Sequence, residues 1–237
     1  MNKISLSLTA GQVKKSQIKG TTTVVIDVLR ATTVIITAIG NGAKWVLPVS
    51  NIDEAKKRKL EFPDAILGGE RDAVKISGFE NGNSPLEYTS IKVRSRGIIL
   101  TTTNGTKALS KAMEADQVII ASMINMSAIV SFLSNSTNPI HIICSGTKGE
   151  FSMDDFLCAG GIISKLNSIS AINMDDLCLL AKNTWSSGKN DVQKYLSTCK
   201  HYKVLENNGF SKDLSFCLVT DTHPIVPKLN IKTGFIQ

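Results

Sequence analysis

Short β-branched apolar runs alternate with segments of helical periodicity along this chain, and that alternation restricts the fold more than any other feature. Thr23 to Val28 reads as a buried strand and Ala31 to Ile39 as the helix after it. Lys44 to Val49 is a second strand. A helix from about Ile52 follows, with Asn51 as N-cap and Glu54 three residues on, a capping-box pattern. Ala65 to Leu67, Gly97 to Thr101, Gln117 to Ala121 and Ile140 to Cys144 supply further strands, and helices are expected over Thr106 to Ala115 and from about Met126 and Met153. Continuous apolar strands are those covered on both faces. The pattern therefore predicts an α/β fold of three layers, α/β/α, around a mainly parallel sheet, with a mixed sheet also allowed. The last third changes character: Asp175 to Asn208 is helical and polar, Ser215 to Val219 reads as a short strand, and Pro224 and Pro227 interrupt the end. No low-complexity linker divides the chain, so residues 1–237 are read as one domain with a helical C-terminal portion.

Composition narrows the function. Hydrophobic residues make up 42% and charged residues 20%, as in a globular protein. Apolar runs such as Val118 to Ala121 are too short to cross a bilayer, and Met1 to Leu8 lacks a signal-peptide pattern, so a cytoplasmic location without membrane partners is expected. The five cysteines are widely spaced with no C-x-x-C, which argues for reduced, mostly buried thiols. A net charge of +7 attracts anions. The lysines are scattered and aromatics are only 5%, which favours a small acidic metabolite over nucleic acid. A homo-oligomeric state is left open.

Three buried strands run into small polar loops ahead of helices: Asp27 to Thr32, Thr101 to Thr106, and Cys144 to Glu150. In open α/β sheets ligands bind at the carboxyl ends of the strands, where helix N-termini offer free N–H groups to an anion. Gly105, Gly146 and Gly149 allow close backbone approach to a phosphate. Asp27 ends a buried strand and needs a cation, either Arg30 or a bound metal; the competing readings are a structural pair with Arg30 or a cap on the next helix. In Gly68 to Arg71, taken as the loop after a short strand, Glu70 suits a hard metal and Arg71 suits phosphate or sulfonate oxygens, against a surface ion pair in a glycine turn. Ser84, Pro85 and Glu87 read as a capping box, which leaves Asn83 as a ligand contact. Thr103, Asn104, Gly105 and Thr106 lie where a phosphate donor belongs, as do Ser145 and Gly146. Ser152 to Asp155 also reads as a capping box. His141 reads as a core residue, and His201 and His223 show no metal-ligand spacing.

The common phosphate motifs are absent: no Walker loop, no G-x-G-x-x-G after a strand, and no G-x-S-x-G elbow. Glu150 stands where a cysteine phosphatase would need arginine after Cys144, and Leu29 where an aspartyl-phosphatase loop would need its second Asp.

Taken together, the loops resemble the 2-phosphosulfolactate phosphatase family. The resemblance is carried by Val24 to Thr33, Leu67 to Arg71, Gly82 to Pro85, Thr101 to Thr106, and the Cys144-Ser145-Gly146 loop leading to Ser152, Asp155 and Ala159-Gly160. The tail, Gly209-Phe210 and Asp213 to Cys217, is similar but less distinctive. Departures are Asp72-Ala73 for the expected Gly-Gly, Glu80 for Asp, and Asp154 for Glu.

The resemblance implies a Mg²⁺-dependent phosphatase that converts 2-phosphosulfolactate to 3-sulfolactate and phosphate, as in the route to coenzyme M. On this reading Asp27 and Glu70 hold Mg²⁺, Arg30 and Arg71 neutralise charge, and Asn83 and the 103–106 and 145–146 loops bind the substrate, a small phosphorylated anion. Asp27 as a covalent nucleophile is the alternative mechanism. Alternative functions are a phosphatase for another phosphorylated hydroxy acid, or a non-catalytic binder of an acidic metabolite.

Overall fold

The computed structural model describes residues 3–237, so the first two positions of the expected domain lie outside it. Its strands are β1 (Lys3–Ser7), β2 (Thr22–Ile26), β3 (Trp45–Pro48), β4 (Ile66–Arg71), β5 (Val74–Lys75), β6 (Gly97–Thr101), β7 (Gln117–Ala121), β8 (Ile140–Cys144), β9 (Asn173–Met174) and β10 (Lys228–Leu229). Its helices are α1 (Lys15–Ile18), α2 (Ala31–Gly40), α3 (Ile52–Glu61), α4 (Ser90–Val93), α5 (Gly105–Ala112), α6 (Met126–Ser134), α7 (Met153–Ile169), α8 (Asp176–Gly188), α9 (Val192–Leu196), α10 (Lys200–Asn207) and α11 (Ser211–Cys217).

The α/β class is as expected, but the strands divide between two sheets. One runs β10-β7-β2-β8-β1-β9 and the other β3-β6-β4-β5. Both are parallel except for the antiparallel edge strands β10 and β5. Ile236 joins them, bridging Val46 of β3 and Leu229 of β10. Side-chain alternation along β2 shows how the layers form. Val24 and Ile26 enter one core with Met126, Ile129, Leu157 and Ile162 of α6 and α7. Val25 faces the other way, into a core with α2 and α5 that also takes Val46, Ile98 and Leu100 of the second sheet. Leu47, Ile99 and Ala55 form a third cluster, where α3 covers the second sheet's far face. Each sheet thus has helices on both faces, and α2 and α5 pack into the core the sheets share. That is why the central strands read as uninterrupted apolar runs.

Local signals hold unevenly. Asn51 caps α3, its Oδ1 accepting from the Glu54 N–H at 2.8 Å, while the Glu54 carboxylate turns back to the Ser50 N–H at 2.9 Å. The long polar helix expected over 175–208 breaks into α8, α9 and α10, with Asp175 and Asp191 capping the first two. The strand expected over Ser215 to Val219 is instead α11, which buries Asp213, Leu214 and Cys217 on one helical face. The strand expected over Ala65 to Leu67 extends to Arg71, so Gly68 to Arg71 are strand rather than loop. The capping box expected at Ser84 does not form: the Ser84 hydroxyl donates to Asp213 Oδ1 at 2.7 Å and the Glu87 carboxylate accepts from Gly82 N–H. His141 is a core residue, held between Ser5 and Ser7 at 2.8 and 2.9 Å.

The β4–β5 turn carries Asp72 and Ala73 at φ 52° and 66°, the left-handed region that costs a side-chain-bearing residue about 1 kcal/mol. Ala73→Gly therefore raises the melting temperature by roughly 2–4 °C, read by thermal denaturation; no gain would mean that the greater freedom of glycine in the unfolded chain cancels the relief.

No helix among the described residues is long and apolar enough to cross a membrane.

Candidate active site

The carboxyl ends of β2, β4, β6 and β8 open onto a single cavity of about 100 Å³ where the two sheets meet. From the first sheet come Asp27, Leu29 and Arg30 after β2, and Thr147 and Lys148 after β8. The second contributes Glu70, the Asp72-Ala73 turn, and Thr102 to Asn104. Asn83 adds to the wall, and α10 contributes His201, Val204 and Leu205.

Asp27 is nearly buried, and its backbone and side chain are both tied to α2. Its N–H donates to Thr32 Oγ1 at 2.9 Å, that hydroxyl donates to Asp27 O at 2.8 Å, and Asp27 Oδ1 accepts the Ala31 N–H at 3.1 Å. The capping role is therefore real, but it uses one oxygen; Oδ2 takes no hydrogen bond from the described residues. Gly105 keeps the space beside it open, since a Cβ there would lie 2.9 Å from Oδ2 and collide with Ala31. Burial chiefly raises the Asp27 pKa; the Ala31 N–H and His201 oppose this, Asp154 and Glu70 add to it, and the result is about 6.

Arg30 does not pair with Asp27. Its Nη1 lies 2.5 Å from Asp213 Oδ2, Nη2 donates to Ala73 O at 3.2 Å, and the guanidinium stacks 4.0 Å from the Phe210 ring centroid. Asp213 also takes the Ser84 hydroxyl, so both its oxygens are used. The Leu29–Arg30 peptide is cis.

Glu70 organises the opposite wall. Oε1 accepts the Thr103 N–H and Oε2 the Ala73 N–H, each at 2.8 Å. Arg71, one residue on, leaves the cavity. Successive strand residues face opposite ways, and Arg71 donates to Thr101 Oγ1 at 3.0 Å and to Glu70 O at 2.6 Å.

The β8 loop is fixed by Asp155, which accepts from Val28 N–H at 2.9 Å and Gly146 N–H at 3.0 Å and so clamps the β2 and β8 loops together. Burial, with Asp154 and Asp27 nearby, holds its pKa well above the usual carboxylate range. This replaces the capping box expected at Ser152, whose hydroxyl bonds the Asp154 side chain at 2.5 Å. Gly146 sits at φ 69°, where a Cβ would strike Glu150 O. Lys148 N–H donates to Asn104 Oδ1 at 2.8 Å, and Lys148 Nζ meets Asp72 Oδ1 at 2.7 Å.

His201 comes from α10 to lie 3.6 Å from Asp154 and 3.1 Å from the Thr147 hydroxyl. Burial disfavours its charged form, but Asp154 and then Asp27 outweigh that and raise its pKa. Burial likewise raises Asp154, and the His201 charge and hydrogen bonds bring it below the ordinary value.

Of the residues singled out in the sequence, Asp27, Arg30, Glu70, Asn83, Thr103 and Asn104 line the cavity. Arg71, Gly105, Thr106, Ser145 and Gly146 stand behind it; Thr106 bonds Thr102 O at 2.7 Å. The site also takes His201, Asp213, Asp154 and Lys148, none of them a site candidate from the sequence. The first three lie on helices whose approach to β2 no local pattern encodes. Signals existed for three of the four: Lys148 lies in the Cys144 to Glu150 loop, Asp213 in the tail that resembles the family, and Asp154 where the family pattern has Glu. Asn83 Oδ1 and Thr103 Oγ1 are buried without hydrogen-bond partners, as are Ser145 Oγ and Asp154 Oδ2.

The chain matches the sequence model of a family described as 2-phosphosulpholactate phosphatase over residues 7–232. It is 42% identical over 229 residues to a protein of Clostridium novyi (strain NT), covering 96% of this chain and 97% of that one. It is also 42% identical to proteins of Clostridium perfringens (strain SM101 / Type A) and Caldanaerobacter subterraneus subsp. tengcongensis, with 99% and 97% of this chain and 96% and 95% of theirs covered. All three carry the name "Probable 2-phosphosulfolactate phosphatase".

Proposed function

The chain belongs to the 2-phosphosulfolactate phosphatase family, and from that premise we propose that it is a Mg²⁺-dependent phosphoric monoester hydrolase converting 2-phosphosulfolactate to 3-sulfolactate and phosphate. The observation that carries the reading is the inner cavity wall. A buried carboxylate with one free oxygen, Asp27, shares a small enclosure with Arg30 and with two polar groups that lack partners, Asn83 Oδ1 and Thr103 Oγ1. Buried polar atoms are rarely left unpaired, and a bound ion or ligand is one way such an exception is completed.

The donors fit a hard dication. Asp27 Oδ2 is free, and Asp27 is pushed up to a pKa of about 6 by burial and by neighbouring carboxylates, strain that a nearby cation would relieve. Glu70 keeps a lone pair on each oxygen beyond its two backbone bonds. Among the described residues no group of three His, Cys, Asp or Glu side chains converges; magnesium commonly takes only one or two protein carboxylates and completes its shell with water and substrate phosphate. Held by Asp27 and Glu70, Mg²⁺ would polarise the phosphoryl oxygens.

The chain's own groups supply orientation and charge. Arg30, fixed by Asp213 and Phe210, places a guanidinium that needs no reorganisation as charge builds on the phosphoryl oxygens. The Thr103 hydroxyl is free to donate to a phosphoryl oxygen. Water oxygen bonds to phosphorus and gives up a proton, the bond from phosphorus to the ester oxygen breaks, and that oxygen takes up a proton in exchange to become the sulfolactate hydroxyl. Asp27 serves this reaction as a ligand rather than as a nucleophile. Rapid acid quench of a single turnover with ³²P-labelled substrate tests that point: no label is expected on the protein, and acid-stable label on Asp27 would make it the nucleophile. The enzyme works as a single-domain cytoplasmic protein on a small anion, in the reaction type that the resemblance associates with coenzyme M synthesis.

A panel of phosphorylated hydroxy acids tests the substrate. The highest kcat/KM is expected for 2-phosphosulfolactate. A higher value for a phosphorylated hydroxy acid without a sulfonate would reassign the substrate, and tight binding of every member without turnover would mark the chain as a binding protein.

A further inference from the structure

Three basic side chains line the cavity among the described residues: Arg30, His201 and Lys148. Arg30 and His201 face carboxylates set behind the wall, Asp213 at 2.5 Å and Asp154 at 3.6 Å, both nearly buried and fixed by further hydrogen bonds. Those counter-charges cannot leave. Lys148 differs, because its partner Asp72 is itself on the cavity wall, and the two side chains are 67% and 77% exposed. A solvated pair of this kind has little net strength and exchanges readily with another anion.

The pair is also held in place to be opened. Lys148 has a left-handed backbone, φ 54°, pinned by its N–H to Asn104 Oδ1 at 2.8 Å. Asp72 sits opposite, at φ 52° in the β4–β5 turn. If the side chains part, neither backbone moves from the entrance. The unpaired polar groups and the free Asp27 oxygen that suit the phosphoryl group belong to less exposed residues, so the rest of an elongated acid points outward. A substrate with a second and third negative charge then meets one cation whose partner can be replaced.

Resting on the phosphorylated-acid reading above, we propose that Lys148 binds the acid group of the substrate remote from its phosphate, and that Asp72 holds Lys148 across the entrance until that group displaces it. Lys148 is then the residue that selects a phosphorylated acid over a plain phosphate ester, and Asp72 is an internal competitor that sets substrate affinity.

The test is calorimetric binding of 3-sulfolactate and of inorganic phosphate, with KM for 2-phosphosulfolactate, for the native protein, Lys148→Met, Asp72→Asn and the double variant. Both residues are exposed, and a circular dichroism melt verifies folding. Lys148→Met is expected to weaken 3-sulfolactate and raise KM by about tenfold or more, the size of a lost charge-assisted hydrogen bond. Phosphate affinity should stay within about twofold, and Lys148→Arg should restore most of the sulfolactate affinity. Asp72→Asn should tighten sulfolactate several-fold on the native background and leave it unchanged on the Lys148→Met background, since its effect runs through Lys148. Native-like sulfolactate affinity in Lys148→Met overturns the proposal, as does an equal loss for inorganic phosphate, which would place Lys148 on the phosphoryl group. A native protein that neither binds 3-sulfolactate nor releases phosphate would fail the underlying function, and the proposal with it; a native protein that does both, alongside an unaffected Lys148→Met, would fail this proposal alone.

Discussion

Asp27→Asn is expected to lower phosphate release by about a thousandfold or more and, at the same time, to make the metal-free protein more stable at pH 7. The first effect follows, on the proposed mechanism, from losing the free anionic oxygen of Asp27, the group that would hold the metal and so polarise the phosphoryl group. The second follows from linkage. Burial raises the Asp27 pKa from 3.8 to about 6. Below pH 4 the carboxyl is protonated folded or unfolded and carries no penalty. Between pH 4 and 6 the unfolded chain releases the proton first, so stability falls as pH rises, and above 6 the full cost is present. Asparagine can keep the Oδ1 bond to the Ala31 N–H without the charge. The variant should gain roughly 1–3 kcal/mol at pH 7 in the presence of a chelator, with the gain vanishing below about pH 4. Urea melts at the two pH values measure it. An inactive variant that is also destabilised at pH 7 would show that Asp27 is a structural cap and no more.

Asp213→Ala is expected to cost about 3–5 kcal/mol. Arg30 is 2% exposed, and Asp213 supplies its only ion-pair partner among the described residues. Removing the carboxylate strands a buried guanidinium, and the Ser84 hydroxyl also loses its acceptor. The remaining contacts, Ala73 O and the Phe210 ring, do not neutralise the charge. Activity should fall as well, because Arg30 is then free to leave the cavity wall. Asp213→Asn, which can still accept from Ser84, should cost less than the alanine variant. A loss below about 1 kcal/mol for Asp213→Ala would mean that water replaces the carboxylate and that the pair contributes little to the fold.

Much of this fold is legible from the chain because burial on both faces leaves a plain mark. Val24, Val25 and Ile26 are apolar in succession, and the structure sends them to different cores. β1 leaves no such mark: Ser5 and Ser7 face inward to solvate the buried His141 ring, so a polar pattern hides a buried strand. The junction of the two sheets runs through Ile236, whose pairing with both Val46 and Leu229 is a long-range event that no local pattern encodes. In the site, Asp27 stands out because a carboxylate at the end of an apolar strand demands a partner. The identity of the partner does not show, since Asp213 reaches Arg30 from 183 residues away. Arg71 can share the cavity with Glu70 only if the segment is a loop; because β4 extends through both, alternation sends them to opposite sides. The serines at 84 and 152 matched a capping pattern, but nearby buried carboxylates, Asp213 and Asp154, compete for their hydroxyls and win.

The central claim is that Asp27 and Glu70 make this cavity a Mg²⁺-dependent phosphatase site for 2-phosphosulfolactate. The measurement that bears on it most directly is phosphate release from that ester by the native protein, first with a chelator and then with Mg²⁺ restored. Release that disappears with the chelator, returns with Mg²⁺, and is lost in both Asp27→Asn and Glu70→Gln is the predicted result. Release that is indifferent to the metal, or no release from folded protein in its presence, would contradict it.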